Sequence, residues 1–380
     1  MDMKTPVGQA FSILGLAAHL GLGAGRVATD AVVGGRFGLP RTVEDIDPAV
    51  LSRVMGTTVR SIRVLSRDSG TSSRGRLVLT GRDVPHSVFV KVAAQTAATR
   101  LIGELGRLGH TEVRFYRELA PQVIGVPYCY GTAFDPWTGR YLLVLEDLPA
   151  ESCEFPDTLH PLSADQASLI VELLAELHAV FLGRLPRGGH GPMSWLYTPS
   201  GDVTSLLTGS LMHTSIKRLA ERTTIPVDKG TFIADNYRAV AALIDTPPHT
   251  VMHGDAHPGN MYFLGGKAGL LDWQAVRRGH PSRELAYTLI TSLTPEDRQA
   301  SQRDLVDHYR RALMAAGGPE LDRDDLWLRF RQAALYAYVA PLITAGMGGM
   351  QAEDIIMEGL RRGVAALDDL ETVAALKGSL

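Results

Sequence analysis

The apolar positions before residue 149 fall mainly into short runs rich in β-branched and aromatic residues. Such runs predict β-strands at residues 59–65, 76–79, 87–92, 128–132 and 141–145. After the third run, apolar residues at near-helical spacing predict one helix, through Leu101, Leu105, Leu108, Phe115 and Leu119. Three glycines weaken the middle of this helix, and Pro121 closes it. This part of the chain therefore predicts a small sheet with one main helix.

The pattern after residue 149 is mainly helical. Ser163 and Gln166 form a capping box at the start of one helix. Further helices are expected at residues 211–221, 229–244, 281–292, 295–316, 323–345 and 352–372. A Gly/Pro-rich stretch at 184–205 predicts a loop, and one β-like island predicts strands at 250–253, 260–264 and 268–272.

The first 45 residues predict an irregular, glycine-rich lead with a short helix, and a second helix begins with Asp47 as its cap and Pro48 in its first turn. Residues 11–25 are apolar but shorter than a membrane span and have no basic segment before them. A loosely packed helix is therefore favoured over an interfacial or signal role. We expect three parts, with a hinge at 146–149: a helical lead at 1–54, a mostly β lobe at 55–148 and a mainly helical lobe at 149–380.

Composition narrows the possible partners and location. Hydrophobic residues make up 45% of the 380-residue chain and charged residues 21%, which is typical of a globular protein. The net charge of −3 disfavours nucleic-acid binding, and no stable membrane insertion is expected. The two cysteines exclude a disulfide framework and favour a reducing compartment, so we predict a cytoplasmic protein. The oligomeric state stays open.

The segment from His253 to Asn260, His-Gly-Asp-Ala-His-Pro-Gly-Asn, carries the strongest chemical signal. Phosphoryl transfer needs a carboxylate to orient the attacking hydroxyl, and oxygen ligands to hold magnesium against the triphosphate. Asp255 and Asn260 are five residues apart, the interval found in the catalytic loop of protein kinases. Asp272 ends the second strand of the following hairpin, where it can face Asn260 across a metal.

This segment resembles the signature of the aminoglycoside phosphotransferase and choline-kinase-like superfamily, which includes ecdysteroid-kinase-like enzymes: H-G-D-x-H-x-x-N, then a hydrophobic strand ending in D-W or D-F. The resemblance implies an α+β, bilobal protein-kinase-like fold with an antiparallel β-sheet in the N-lobe and a mainly helical C-lobe. It implies that Asp255 is the catalytic base or positions the hydroxyl, and that Asn260 and Asp272 bind Mg²⁺. His253 then supports the loop.

Lys91 lies inside an apolar strand, where a lysine needs a partner or solvent. In kinase-like enzymes a strand lysine contacts the ATP phosphates and is held by a glutamate on the next helix. Glu112 is the expected partner, and Glu118 and Glu104 are rivals. The alternative is an exposed lysine with an unrelated surface glutamate.

Other residues are expected to bind ATP or to support the loop. Ser69, Gly70, Thr71 and Ser72 belong to a turn whose N–H groups can approach phosphates, although a plain hairpin turn is an equal alternative. The strand ending at Glu146 and Leu148 resembles the hinge whose main chain pairs with adenine. His257 is expected to shape the loop, and the resemblance implies that Glu284 anchors it, where aspartate is commoner.

Together these features predict an ATP- and Mg²⁺-dependent kinase acting on a small-molecule hydroxyl. The lobe at 55–148 is expected to bind the nucleotide, and the lobe at 149–380 to carry the catalytic loop and the acceptor site. The resemblance implies acceptors such as amino alcohols, sugars, aminoglycosides or steroid-like alcohols. Acidic residues after the hinge, Asp147, Glu151, Glu154 and Asp157, favour a cationic acceptor unless they form an exposed loop. A non-catalytic nucleotide-binding protein on the same fold is the main alternative, and a metal-dependent hydrolase is the other.

Overall fold

The computed structural model describes residues 6–34, 38–186, 191–348 and 352–380, with side chains from residue 12 onward. The chain clusters into two units. The first comprises Met1–Pro121, Val126–Ser152 and Asp272–Ala275, and the second comprises Gln122–Gly125, Cys153–Leu271 and Val276–Leu380. An antiparallel sheet in the N-terminal part and a helical C-terminal part confirm the predicted α+β class.

Five antiparallel strands form the sheet of the first unit, in the order β1-β2-β3-β5-β4. They are β1 (Thr58–Ser69), β2 (Ser72–Arg82), β3 (Ser87–Ala93), β4 (Cys129–Phe134) and β5 (Tyr141–Glu146). All five had been predicted, but β1 and β2 are longer than their apolar runs. Backbone pairing extends them to Ser69 and Ser73, where most β1 side chains are exposed and no apolar alternation marks a strand.

The core of the first unit lies where one face of this sheet meets α2 (Pro48–Met55). Asp47 accepts a hydrogen bond from Val50 N and caps α2, as its sequence predicts. Alternate strand residues and Leu51 of α2 are fully buried there, including Leu77, Val88, Val90, Val92, Leu142 and Val144. The period-two alternation of β2 and β3 thus fixes which face of the sheet is buried.

The helices of the first unit differ from prediction in two places. The single helix expected through residues 101–119 is wrong: α3 (Ala97–Leu105) and α4 (Leu108–Glu118) are separated at Arg107, whose φ is 55°. Apolar spacing cannot reveal a left-handed residue between two helices. The expected short N-terminal helix is instead the 28-residue α1 (Pro6–Val33). At Gly23 of α1 the side chains of α3 lie 3.4–3.8 Å from where a Cβ would be, which is an ordinary packing distance, so α1 packs on α3 at this point.

A buried carboxylate ties α1 to the rest of the first unit. Asp30 of α1 accepts from Arg100 Nη1 of α3 at 2.9 Å and from Arg140 Nη2 at 2.7 Å. The side chains of all three residues are at most 8% exposed. One acid therefore balances the charges of two buried guanidinium groups, which also donate to the carbonyls of Thr138 and Pro40.

The second unit is built mainly from helices. They are α5 (Ala164–Phe181), α6 (Ser205–Ala220), α7 (Thr231–Ile244), α8 (Pro281–Ser292), α9 (Pro295–Ala315), α10 (Arg323–Ala333), α11 (Leu335–Met347), α12 (Glu353–Asp369) and α13 (Thr372–Lys377). The predicted capping box of Ser163 and Gln166 starts α5. The single helices predicted at 323–345 and 352–372 are each two, because short breaks near residues 334 and 370–371 interrupt a continuous apolar pattern.

Two small sheets complete this unit. β6 (Cys153–Glu154), β8 (Met261–Leu264) and β9 (Lys267–Leu270) form one, and β7 (Thr250–Met252) pairs with β10 (Arg277–Gly279) in the other. Part of the predicted loop at 184–205, residues 187–190, lies outside the described residues. Among the helices that are described, none is long and apolar enough to cross a membrane.

We expect Asp30→Ala to destabilise the first unit, because it leaves Arg100 and Arg140 buried without their carboxylate. Breaking a buried ion pair from one side typically costs about 3–5 kcal/mol. Urea unfolding followed by circular dichroism measures the loss. The control is Glu44→Ala, which removes an exposed carboxylate paired with Arg67 and should cost about 1 kcal/mol or less. Equal unfolding midpoints for the two variants would contradict the role of Asp30.

Candidate active site

A short loop between β7 and β8 presents Asp255. Gly254 has a φ of 86°, and residues Pro258–Asn260 form one 3-10 turn capped by His257, whose Nδ1 accepts from Gly259 N at 3.1 Å. The β8–β9 hairpin follows, turning at Gly265 and Gly266 with φ values of 57° and 75°. This is the strand, loop and hairpin order that the sequence predicts.

Glu284 of α8 fixes the start of this loop. Its carboxylate accepts from His253 N at 3.0 Å and from Gly254 N at 2.6 Å, and it lies 2.9 Å from His178 Nε2. Burial alone would raise the pKa of Glu284, but the hydrogen bond and charge of His178, with the loop N–H groups, hold it below its ordinary value. Glutamate therefore reaches the loop from α8 in the place where the resemblance favours aspartate.

Two further side chains of α8 contact the loop. Tyr287 donates its hydroxyl hydrogen to Asp255 Oδ1 at 2.7 Å, and Thr288 donates to Ala256 O at 3.0 Å. Tyr287 and Thr288 lie three and four residues after Glu284, so all three share one face of the helix. Burial and the neighbouring Asp255 raise the pKa of Tyr287 well above its ordinary value, which keeps this phenol a donor.

His253 supports the loop from inside. Its Nε2 lies 2.7 Å from Leu271 O, and its Nδ1 accepts from Asp255 N at 3.2 Å. A neutral ring protonated at Nε2 satisfies both contacts. His253 therefore joins the loop to the end of the hairpin, and its ring nitrogens are occupied by structural bonds.

Asn260 closes the loop on Asp255. Its Nδ2 donates to Asp255 O at 2.9 Å and lies 3.4 Å from Asp255 Oδ2. With the amide nitrogen turned to the loop, the amide oxygen is the atom that can bind a metal. His257 Nε2 lies 3.7 Å from Asp255 Oδ2, so His257 borders this carboxylate, whereas His253 contacts the backbone of Asp255.

In the first unit, Lys91 lies between two carboxylates. Its Nζ is 2.7 Å from Glu112 Oε2 and 2.6 Å from Asp272 Oδ1. Burial works against the charge on Lys91, but the two carboxylates outweigh it and raise its pKa. Burial, with the charge of Asp272, raises the pKa of Glu112. The rival glutamates lie elsewhere, since Glu104 pairs with Arg26 and Glu118 with Arg114.

The backbone around Asp272 explains how this acid reaches Lys91. Asp272 has a φ of 58°, in the left-handed region that aspartate tolerates better than most residues. Trp273 is 1% exposed and stacks on Phe115 of α4, with ring centroids 4.0 Å apart and planes 5° apart. The backbone of Trp273 also hydrogen-bonds Glu112. Packing of Trp273 thus places Asp272 beside the Lys91–Glu112 pair.

The β1–β2 turn is tighter than the predicted Gly/Ser stretch, with Gly70 and Thr71 between the strands. Gly70 N donates to Ser72 O at 2.9 Å, and Ser69 N donates to the Asp68 carboxylate at 2.8 Å. Ser72 is 1% exposed and its side chain hydrogen-bonds Tyr141, so its hydroxyl faces the protein interior.

The end of β5 is held by neighbouring strands. Glu146 N donates to Tyr128 O at 2.7 Å, and Glu146 Oε2 accepts from Tyr128 N at 3.1 Å. Arg76 donates to Asp147 Oδ1 at 2.6 Å and to Leu148 O at 3.0 Å. Asp147 therefore forms an internal ion pair with Arg76. It is one of the acids expected to attract a cationic acceptor, and it is not available to do so.

Sequence reasoning missed Tyr287, which touches the central carboxylate directly. The available signal was its position one turn after Glu284 on a predicted helix. Nothing in the sequence, however, places that helical face against the loop.

Comparison with known proteins identifies the family and a similar fold. The sequence profile described as the phosphotransferase enzyme family matches residues 64–327. A putative aminoglycoside phosphotransferase from Ralstonia eutropha JMP134 has a similar structure, with a TM-score of 0.55, 15% identity, and coverage of 85% of this chain and 97% of that one. Choline kinase LicA from Streptococcus pneumoniae follows with a TM-score of 0.48, 14% identity, and coverage of 83% and 94%. No curated protein matches the chain in sequence.

We expect buried His280, the N-cap of α8, to make stability fall as the pH drops from about 6.5 to 5. Burial first, then nearby positive charge, lowers the pKa of His280 to about 3. The unfolded histidine, with a pKa of about 6.5, binds a proton that the folded one does not, so acid favours unfolding by up to about 1.4 kcal/mol per pH unit.

His280→Asn keeps a capping side chain and removes this titration, so its urea midpoint should vary less across that pH range. His160→Asn, at an exposed position, is the control and should keep the parental slope. The role of His280 is wrong if both variants show the same slope.

Proposed function

This chain belongs to the phosphotransferase enzyme family, and from that premise we propose that it is an ATP- and Mg²⁺-dependent kinase that phosphorylates a hydroxyl of a small molecule. One observation carries the proposal: Asp255 stands on a loop whose backbone is pinned by a buried carboxylate, and a tyrosine fixes one of its oxygens. Such a preorganised carboxylate suits a group that orients a nucleophile.

Asp255 acts on the acceptor. Its Oδ1 is held by Tyr287, and its Oδ2 accepts the proton of the attacking hydroxyl. The acceptor oxygen forms a bond to the γ-phosphorus while the bond from that phosphorus to the β–γ bridging oxygen breaks, and ADP leaves. The hydroxyl proton passes to the Asp255 carboxylate.

Magnesium fits the donor atoms present. Asn260 and Asp272 offer an amide oxygen and a carboxylate, the hard ligands that Mg²⁺ prefers. Within the described residues no group of three or more His, Cys, Asp or Glu side chains is arranged to hold a metal. Mg²⁺ often takes one or two protein ligands and completes its shell with phosphates and water, so the oxygens of Asn260 and Asp272 are enough to hold it. When bound, the ion neutralises charge on the triphosphate.

Lys91 contacts the ATP phosphates in this proposal, and Glu112 holds its ammonium group. The turn at Ser69, Gly70, Thr71 and Ser72 contributes main-chain groups to the phosphates. Main-chain groups near Glu146 and Leu148 contact adenine. A cytoplasmic location completes the proposal and agrees with two unpaired cysteines, Cys129 and Cys153.

We predict that Asp255→Asn lowers kcat by about 10²–10⁴-fold, because the amide cannot accept the hydroxyl proton. ADP release is measured across amino alcohols, sugars, aminoglycosides and steroid-like alcohols. Binding of ATP with Mg²⁺ should persist in the variant, and exposed Asp304→Asn on α9 should retain parental turnover. Undiminished turnover in Asp255→Asn would refute its role. ATP binding by the parent without turnover of any acceptor would favour the non-catalytic alternative.

Lys91→Met should weaken ATP binding by roughly 10- to 100-fold, since a hydrogen bond to a charged group is worth about 1.5–3 kcal/mol. Isothermal titration with ATP and Mg²⁺ measures the effect. Lys267→Met, at an exposed position on β9, is the matched control and should bind ATP like the parent. Unchanged affinity in a folded Lys91→Met protein would remove Lys91 from the nucleotide site.

A further inference from the structure

A cavity of about 210 Å³ lies in the second unit, and Asp255 is part of its lining. Its walls are mainly apolar and aromatic, from α7, β7, α8 and α11, and include Tyr237, Met252, Tyr336, Val339 and Ile343. Drug-sized ligands usually occupy about 300–1,000 Å³, so this cavity suits a compact molecule. The Asp255 carboxylate, which we propose acts on the acceptor hydroxyl, thus faces a space that can hold an acceptor molecule.

The charged side chains that line this cavity differ in how many of their hydrogen bonds are made by neighbouring protein groups. Glu284 also lines it, but its oxygens accept the loop N–H groups and contact His178. Asp255 receives the Tyr287 hydroxyl. Arg283, in contrast, has a buried Nη1 with no hydrogen-bond partner. Among the charged side chains that line the cavity, we assign Asp255 to the acceptor hydroxyl, so the remaining charge with unused hydrogen-bonding capacity is positive.

Tyr336 adds a second unsatisfied polar atom. The guanidinium of Arg283 lies over the Tyr336 ring, 3.8 Å from its centroid. Tyr336 is 5% exposed, and its buried hydroxyl has no hydrogen-bond partner. Two unsatisfied donors at one apolar cavity are costly unless a ligand accepts from them. A ligand with an anionic group supplies the hydrogen-bond acceptor that Arg283 Nη1 and the Tyr336 hydroxyl both lack.

The acids outside the cavity do not reverse this charge. Asp147 is paired with Arg76, Asp157 with His160, and Glu154 accepts from Gln166 Nε2 at 2.7 Å. Asp245 does not line the cavity. Its Oδ2 accepts from Ser200 N at 2.6 Å, its buried Oδ1 has no hydrogen-bond partner, and its charge acts on Tyr336. A cationic acceptor would meet Arg283 inside the cavity, where the Glu284 carboxylate is engaged by the loop and His178 and the Asp255 carboxylate is the group that we assign to the hydroxyl.

We infer that this cavity binds the acceptor and selects a hydroxy acid. The apolar or aromatic body of that acid lies between Tyr237 and Tyr336, its carboxylate contacts Arg283, and its hydroxyl lies at Asp255. The inference rests on the proposed function and narrows its acceptor to an anionic class. Arg283 and Tyr287 are four residues apart on α8, so one helical face carries both the specificity-determining cation and the group that positions Asp255.

Three probes with the same phenylpropyl body test the charge preference: 3-phenyllactate is anionic, 3-phenyl-1,2-propanediol is neutral, and phenylalaninol is cationic. Binding is measured by isothermal titration, and transfer by ADP release with ATP and Mg²⁺. The parent protein should bind and phosphorylate phenyllactate best. Stronger binding of phenylalaninol, or no binding of phenyllactate at millimolar concentration, would overturn the inference.

Variants of Arg283 then test the source of the preference. Arg283→Gln should lower kcat/KM for phenyllactate by roughly 10- to 100-fold, mainly through KM, with little change for the diol. Arg283→Lys keeps the charge and should keep the preference even if the Gln variant is unstable. Arg303→Gln is the matched control, because Arg303 lies 4.1 Å over the Trp327 ring away from this cavity. An unchanged kcat/KM for phenyllactate in Arg283→Gln would refute the role of Arg283.

The two proposals fail in different ways. Phenyllactate binding that depends on Arg283, without phosphoryl transfer to any probe, would support the cavity assignment and count against the kinase. Phosphorylation of the diol or the amine without dependence on Arg283 would support the kinase and refute the hydroxy-acid pocket.

Discussion

The arrangement of the second unit depends on the buried carboxylate of Glu284. An ionised acid in the interior is tolerated only when hydrogen-bond donors surround it, and here the donors come from the loop backbone and from His178. His178 extends the network, since its Nδ1 lies 2.7 Å from the Tyr309 hydroxyl and its carbonyl accepts from Thr250. The hydrogen bonds of Glu284 and His178 thereby connect α5, α8, α9 and the loop after β7, and they fix the position of Asp255.

The first unit uses the same principle with opposite sign. There a buried ammonium, Lys91, is surrounded by Glu112 and Asp272. The aromatic stack of Trp273 on Phe115 supplies rigidity that a charged cluster alone does not have. Each unit thus holds one charged group at a fixed place by compensating it locally, and apolar packing then restricts the movement of the partners.

Local signals predicted much of this structure. The bounds of α8 were predicted to the residue, because Pro281 suits a first helical turn and the apolar spacing continues to Ser292. The family and the α+β fold were implied by the resemblance of the segment from His253 to Asn260, with Asp272 after the hairpin, to a known family signature. The left-handed break at Arg107 and the exposed ends of β1 and β2 were not predictable, since backbone pairing and packing determine them. The contacts of Tyr287 and Arg283 were missed because they join residues distant in sequence.

Residues Asp272–Ala275 belong to the first unit, although the chain on either side of them belongs to the second. This limits how the protein can be divided. A fragment ending at Ser152 would contain the whole five-stranded sheet but would lack Asp272 and Trp273. Lys91 would then keep one carboxylate, and Phe115 would expose the face that the indole covers. The two units are therefore not separable gene segments that recombination could exchange by a single crossover. A viable transplant of the first unit must carry the four residues Asp272–Ala275 from far along the chain.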